Sequence, residues 1–243
     1  MDYIRRNINN PSDEYYKFCE EKLKCQCCQI FDCAKQPVIS EGNGNNPIFV
    51  IVGECPGKDE SDAVRPFIGR AGQRLREELR KYSKTFNRKT CLITNVMACR
   101  PENNEFPRIS ECFEIRCGAK YTVKGRELVN FCATKWLRKE IKMLNPKVII
   151  TLGSKSLEYV RGDSGITSNR GAWKFLPEYK AWSFATYHPS YVLRCSNDPN
   201  KEYVVEQFED DFKTISETWF LTVNNDPCIK MSPQDWELEK SIV

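Results

Sequence analysis

Apolar positions along the chain fall into short runs separated by amphipathic stretches. Residues 48–52 (IFVIV), 91–94 (CLIT), 148–152 (VIITL) and 182–187 (WSFATY) are the runs. Short runs rich in β-branched or aromatic residues suit strands buried on both faces of a parallel sheet. Between them the period lengthens. Residues 70–82 carry Leu75 and Leu79 on one face among charged neighbours, and residues 132–144 set Trp136, Leu137, Ile141 and Leu144 against Lys135, Arg138, Lys139 and Lys142. Both patterns predict helices, the second stopped by Asn145-Pro146. Further helices are predicted over 11–24, 154–160 and 201–220, the last through Val204, Val205, Phe208, Phe212 and Ile215. Residues 41–47 read as a loop, 167–173 as a loop or hairpin, 102–131 as an excursion and 221–243 as a tail of unassigned role. The alternation of strand and helix predicts a mostly parallel sheet covered on both sides, in one domain over 1–220.

Three of these strands end at polar residues. The first gives way to Gly53-Glu54-Cys55-Pro56-Gly57, followed by Asp59, Glu60 and Pro66-Phe67-Ile68-Gly69. The second ends at Asn95 and the fourth at His188, the only histidine of the chain. Open α/β sheets bind ligands in crevices at the carboxyl ends of their strands. An asparagine after a strand is commonly a turn or cap residue, and a lone histidine is commonly structural. Polar residues at three equivalent strand ends favour a site instead. Arg70, at a helix start, fits a phosphate contact and a solvated basic helix equally well.

Composition narrows the class only a little. With 40% hydrophobic and 29% charged residues the chain is ordinary for a soluble globular protein, and a net charge of +4 permits nucleic-acid binding without arguing for it. No apolar run is long enough to span a bilayer, and the first residues lack the apolar core of a secretory signal. Thirteen cysteines change the picture more. In a reducing compartment such a count points to a metal or cluster rather than to disulfides. Cys25 and Cys28 have C-x-x-C spacing, which fits either a metal-binding turn or a chance pairing in a cysteine-rich stretch. A single histidine excludes zinc sites that need two.

Five segments in order, IVGECPG (51–57), RPFIGRAGQ (65–73), ITNVMACRP (93–101), CATKWLRKEIKMLNPKVIITLG (132–153) and YHPSYVLR (187–194), together resemble the family-4 uracil-DNA glycosylases, the iron–sulfur branch of that superfamily. The resemblance covers roughly 40 to 194, with Glu60 six and Phe67 thirteen residues beyond Glu54 as in the family pattern. It implies a three-layer α/β/α sandwich on a small, mostly parallel sheet. It also implies a DNA glycosylase that hydrolyses the N-glycosidic bond of a flipped-out uracil. Carried over, Glu54 and Glu60 resemble the acids that position water or sugar, and His188 the histidine that supports negative charge on the departing base. Phe67 is similar to the aromatic that stacks on the base and Asn95 to the amide that reads its edge, with Gly53 and Cys55 beside them. Ser190, Tyr191, Leu193 and Arg194 look like the segment pressed into the duplex, with Arg70 as a phosphate contact. Cys25, Cys28, Cys99 and Cys132 match the ligands of a [4Fe–4S] cluster, residues 1–40 forming the segment that carries it. DNA is the implied partner. A monomer is expected, without a membrane segment, in the cytoplasm with the nucleoid or in the nucleus of a eukaryote.

The chain departs from the family pattern at three places. Cys55 stands where the family usually has Ala or Gly, and Asp62-Ala63-Val64 replaces a Gly-containing segment. Cys99 and Cys132 are 33 positions apart, about twice the usual span, so 102–131 is an insertion that adds Cys112 and Cys117 as rival ligands. These departures leave room for a same-scaffold glycosylase acting on a bulky modified pyrimidine, such as hydroxymethylated or glucosylated cytosine in phage DNA. A non-catalytic iron–sulfur DNA-binding module is the alternative from another class. The branch of the superfamily that traps DNA covalently needs a further histidine, which is missing here.

Overall fold

The computed structural model describes residues 2–224. In chain order it contains α1 (Tyr3–Asn7), β1 (Ile8–Asn9), α2 (Asp13–Leu23), β2 (Glu41–Asn43), β3 (Phe49–Gly53), α3 (Lys58–Ala63), α4 (Arg70–Lys81) and β4 (Cys91–Asn95). Next come β5 (Cys112–Ile115), β6 (Tyr121–Lys124), α5 (Gly125–Cys132), α6 (Lys139–Leu144), β7 (Val148–Leu152) and α7 (Gly153–Ser156). The last are α8 (Ile166–Asn169), β8 (Trp173–Leu176), β9 (Ala181–Thr186), α9 (Pro189–Cys195) and α10 (Glu202–Asn224). A π-type turn over Ala133–Arg138 joins α5 to α6, and a second, Leu157–Arg161, extends α7.

Seven strands form one sheet in the order β1-β2-β4-β3-β7-β9-β8. The four central strands are parallel, and antiparallel pairing appears where β2 meets β4 and β8 meets β9. Alternation along the central strands divides the interior in two. Val50, Val52, Leu92 and Ile149 face Phe18, Trp136, Leu137 and Ile141. Phe49, Ile51, Ile93 and Ile150 face Leu75, Phe208, Phe212 and Ile215. With helices covering both faces, the fold is the three-layer α/β/α sandwich.

Several sequence expectations change. The helix expected from Cys132 begins at Gly125, because Leu128 and Val129 continue its buried stripe and the Glu127 carboxylate accepts the Lys124 amide N–H at 3.0 Å. The remaining excursion holds a β5–β6 hairpin. Residues 167–173 split between α8 and the approach to β8, which pairs with β9. Within 41–47 the strand β2 forms between β1 and β4, and both β1 and β2 are too short to leave a period in the sequence. Helix α10 runs on to Asn224, so the proposed tail of 221–243 starts as helix, and its residues 225–243 lie outside the described residues. No helix among the described residues is long and apolar enough to cross a membrane.

The hairpin docks on the segment that follows α2. Ile115 forms an isolated antiparallel bridge with Cys28, and the Arg116 amide N–H donates to the Cys27 carbonyl at 2.8 Å. The Arg116 guanidinium donates twice to Asp32, at 2.7 and 2.6 Å. Other basic residues between 102 and 131 are also matched, Arg108 to Glu105 at 2.9 Å, Lys120 to Glu114 at 2.7 Å and Arg126 to Glu158 at 3.6 Å.

Candidate active site

Strand register assembles the site. Gly53 lies opposite Asn95 across the β3–β4 pair, and Leu152 opposite Thr186 across β7–β9. Glu54, Asn95, Gly153 and His188 therefore emerge along one edge of the sheet. A Cβ built on Gly53 would stand 2.4 Å from Phe67 Cζ and 2.5 Å from Asn95 Oδ1, so ring and amide meet over bare strand backbone. A Cβ on Gly153 would stand 2.8 Å from His188 Cβ and 2.9 Å from Glu54 Oε1. Glu54, Phe67, Asn95 and His188 line one cavity of about 620 Å³, together with Cys55 and Glu60.

His188 is set up as a neutral donor. Its Nδ1 accepts the Ser190 amide N–H at 3.2 Å and so caps α9, which leaves the ring proton on Nε2. Burial pulls the imidazole pKa below its ordinary value; Glu54 opposes the shift and Arg194 adds to it. The Phe67 ring lies 6.2 Å from the imidazole, tilted by 38°. Asn95 is buried, and its side-chain amide has no hydrogen bond to another described residue, so both ends of that amide remain available to a ligand.

The two acids differ. Glu54 Oε1 accepts the Lys155 amide N–H at 3.3 Å. Glu60 Oε1 accepts two amides, from Ile68 at 3.1 Å and Gly69 at 2.8 Å, which ties it to the turn bearing Phe67. Burial, reinforced by these two carboxylates, pushes the Cys55 thiol up to about 12. Cys55 is a neutral wall at physiological pH.

Ser190, Tyr191 and Arg194 border the same cavity, with the Arg194 guanidinium 5.7 Å from the Tyr191 ring centre. Leu193, half-buried on α9, and Arg70, exposed at the start of α4, do not line it. Tyr187, Ser154, Thr167 and Asn104 do, although none was foreseen. Tyr187 and Ser154 adjoin strand ends already noted. Asn104 comes from the segment after β4 with a left-handed backbone, φ 62°, and nothing in its sequence surroundings marks it.

Four cysteines gather in the core that faces α2 and α5. Cys28, Cys99 and Cys132 are buried in one core, and Cys25 packs against it. Burial, then Cys132, Cys28 and Cys25, drive the Cys99 thiol pKa well up. The Cys132 thiol is pushed to about 12 by burial, with Cys28 and Cys25 acting in the same direction against an Ala98 amide that points at its sulfur. Amides of Ile30 and Phe31 point at the Cys28 sulfur. Among the described residues no group of three or more His, Cys, Asp or Glu is drawn together for a single metal ion. A cubane spreads its thiolates over separate corners, so four neighbouring cysteines with amides aimed at sulfur fit that group better than one ion. Of the rivals, Cys112 and Cys117 are exposed. Cys117 interacts with Cys27, and Cys112 lies 3.3 Å from Lys124 Nζ.

The chain has relatives among known proteins. A family model described as "Uracil DNA glycosylase superfamily" matches residues 39–211. The chain is 32% identical over 213 residues to a type-4 uracil-DNA glycosylase of Sulfurisphaera tokodaii, covering 84% of each chain. It is 34% identical over 199 residues to that of Thermotoga maritima, covering 78% of this chain and 88% of the relative. Against the Archaeoglobus fulgidus protein of the same name the identity is 29% over 204 residues, covering 81% and 89%. By sequence and by sheet architecture, the chain belongs to the uracil-DNA glycosylase superfamily, within its type-4 branch.

Proposed function

We propose that this protein excises uracil from DNA by hydrolysing its N-glycosidic bond. The observation that carries this reading is the convergence of an aromatic ring, an amide, a neutral imidazole and a carboxylate on one cavity at the strand ends. A base inside the duplex must be extruded at a cost of a few kcal/mol, roughly, before its bond can be reached. Stacking on Phe67 recovers about 1–3 kcal/mol without reading sequence. Asn95 offers a donor and an acceptor to the polar edge of uracil; cytosine presents an amine where uracil presents a carbonyl and is refused.

As the bond breaks, negative charge grows on the base and positive charge on the sugar. His188 Nε2–H donates to the uracil O2 as that charge appears, and its neutral form avoids a proton transfer. A preorganised donor of this kind is worth about 2.7–4 kcal/mol. Glu54 orients the attacking water and offsets the positive sugar. Glu60 faces the same space but mainly fixes the turn that presents Phe67. Ser190, Tyr191 and Arg194 press on the duplex around the extruded nucleotide, with Arg70 and Leu193 as outer contacts.

Cys25, Cys28, Cys99 and Cys132 would hold a [4Fe–4S] cluster. Held there, it would tie the segment after α2 to the loop after β4 and to α5; hydrolysis itself consumes no electrons. The protein acts on DNA as a monomer, in the cytoplasm or the nucleus.

The test is excision from duplexes carrying single modified pyrimidines, read by strand scission after alkali. Release of uracil and loss of that release in Asn95→Ala support the assignment. Because Asn104 of the insertion lines the cavity, hydroxymethylated and glucosylated cytosine belong in the panel. Exclusive cleavage of either would transfer the activity to the bulkier base, and DNA binding without scission would leave a non-catalytic module. Anaerobic purification should yield a brown protein with about four irons per chain; a colourless protein with one zinc would overturn the cluster.

A further inference from the structure

The turn that carries Phe67 is held in an unfavourable shape. Val64 and Phe67 both adopt left-handed backbone, each at φ 53°. This is a region that β-branched and bulky aromatic residues rarely enter, and such conformations persist only where surroundings over-determine them. Here the surroundings are side chains from three separate elements. The Asn7 amide donates to the Val64 carbonyl at 2.7 Å, and Glu60 accepts the amides of Ile68 and Gly69. Arg76, on the second turn of α4, donates from Nε to the Phe67 carbonyl at 3.0 Å and from a terminal nitrogen to the Pro66 carbonyl at 3.2 Å.

Arg76 is itself anchored. The same terminal nitrogen reaches Glu41 Oε2 at 2.7 Å, and Arg65 grips Glu41 through both carboxylate oxygens at 2.8 and 2.6 Å. Burial would raise the Glu41 carboxyl pKa, but the Arg65 and Arg76 guanidiniums overcome it and hold the group below the usual carboxylate range. Glu41 therefore stays ionised between two cations. Beneath, Gly72 leaves the Phe67 carbonyl room: a Cβ there would lie 1.9 Å from that oxygen.

We infer that Arg76, braced by Glu41 and Arg65, is a positioning residue for excision, fixing the left-handed Phe67 so that its ring faces the extruded base. The planar fork is what the geometry uses, since one guanidinium serves two carbonyls and a carboxylate at once. The platform is thus held from the outlying strand β2 and from α4, rather than from the central strands that precede Asn95 and His188.

The inference rests on the uracil-excision reading. It is tested with the full chain by single-turnover excision from a uracil-containing duplex, alongside affinity for free uracil and for the same duplex without uracil. In Arg76→Ala the maximal rate should fall about ten- to a hundredfold through misplacement of the ring, with the loss in kcat rather than KM. Free uracil should bind more weakly, while affinity for the uracil-free duplex and its salt dependence stay as in the wild type. Arg76→Lys should not restore the rate, because an ammonium cannot span the three acceptors, and Glu41→Gln should fall in between. If Arg76→Ala does not fold, Arg76→Lys carries the test with the same expected loss and Glu41→Gln with a smaller one. An unchanged rate overturns the inference, as does a loss matched by weaker binding to uracil-free duplex, which would make Arg76 a phosphate contact. A wild-type protein that releases no uracil overturns the activity as well, so the two failures are distinguishable.

Discussion

The hollow at the strand ends and the cysteine-bearing side of the sheet both unite residues distant in the chain, by different means. The hollow is built by register: four parallel strands stop level, and whatever follows each one arrives at the same edge. The cysteine side is built by docking, as α2, the loop after β4, the end of α5 and the β5–β6 hairpin meet. At its centre Glu140, fully buried, accepts from Tyr15 at 2.6 Å, Ser40 at 2.5 Å, Lys22 at 3.1 Å and Thr94 at 3.1 Å. Chemistry and stability are therefore expected to separate in space. Changes in the hollow should abolish turnover in a folded protein, and changes on the other side should unfold a protein whose remaining folded fraction still works.

The sharpest break of that division is Glu140→Ala, which strands the Lys22 ammonium in the core. A loss of about 3–5 kcal/mol in urea-unfolding free energy is expected, with a normal excision rate per folded molecule at low temperature. A selective loss of excision at unchanged stability would join the two regions. His188→Ala should do the reverse, slowing the single-turnover rate by about 10²–10³ while the urea midpoint stays within experimental error.

The pH dependence is a milder probe. His188 has its folded pKa below the ordinary imidazole value, so the unfolded chain binds the extra proton first as pH falls. Its contribution to stability is complete above about pH 6.5 and is lost as pH falls through the folded pKa. Excision should persist below the ordinary imidazole range, and a rate that drops with the ordinary imidazole titration would count against the buried neutral donor. The smallest effect is expected for Arg116→Ala. The exposed pairing to Asp32 should barely alter the global midpoint, while hydrogen exchange of the 112–124 hairpin accelerates and excision is unchanged.

The two regions also differed in how far they could be read from residues alone. The apolar runs ending at Glu54, Asn95 and His188 predicted the hollow because strand ends in a parallel sheet are equivalent positions. What lay beyond register was less legible. The helix start at Gly125 was hidden behind the motif beginning at Cys132. The commitment of Glu60 to two amides and the proton left on His188 Nε2 depend on backbone groups no side-chain pattern reveals. Arg70 and Leu193 fall beside the right elements yet outside the cavity, since a helix sends neighbouring residues in different directions. The four cysteines came together only through family resemblance, as spacing along a chain carries no information about docking.

The charge of residues 102–131 has a consequence for how this protein meets its polymer. Arg108, Arg116, Lys120 and Arg126 already face Glu105, Asp32, Glu114 and Glu158. Cations satisfied internally displace few condensed counterions from a duplex, so these four should add little to the steepness with which affinity declines as ionic strength rises. The hairpin segment extends the surface without indiscriminate stickiness, leaving long-range attraction to cations elsewhere on the chain.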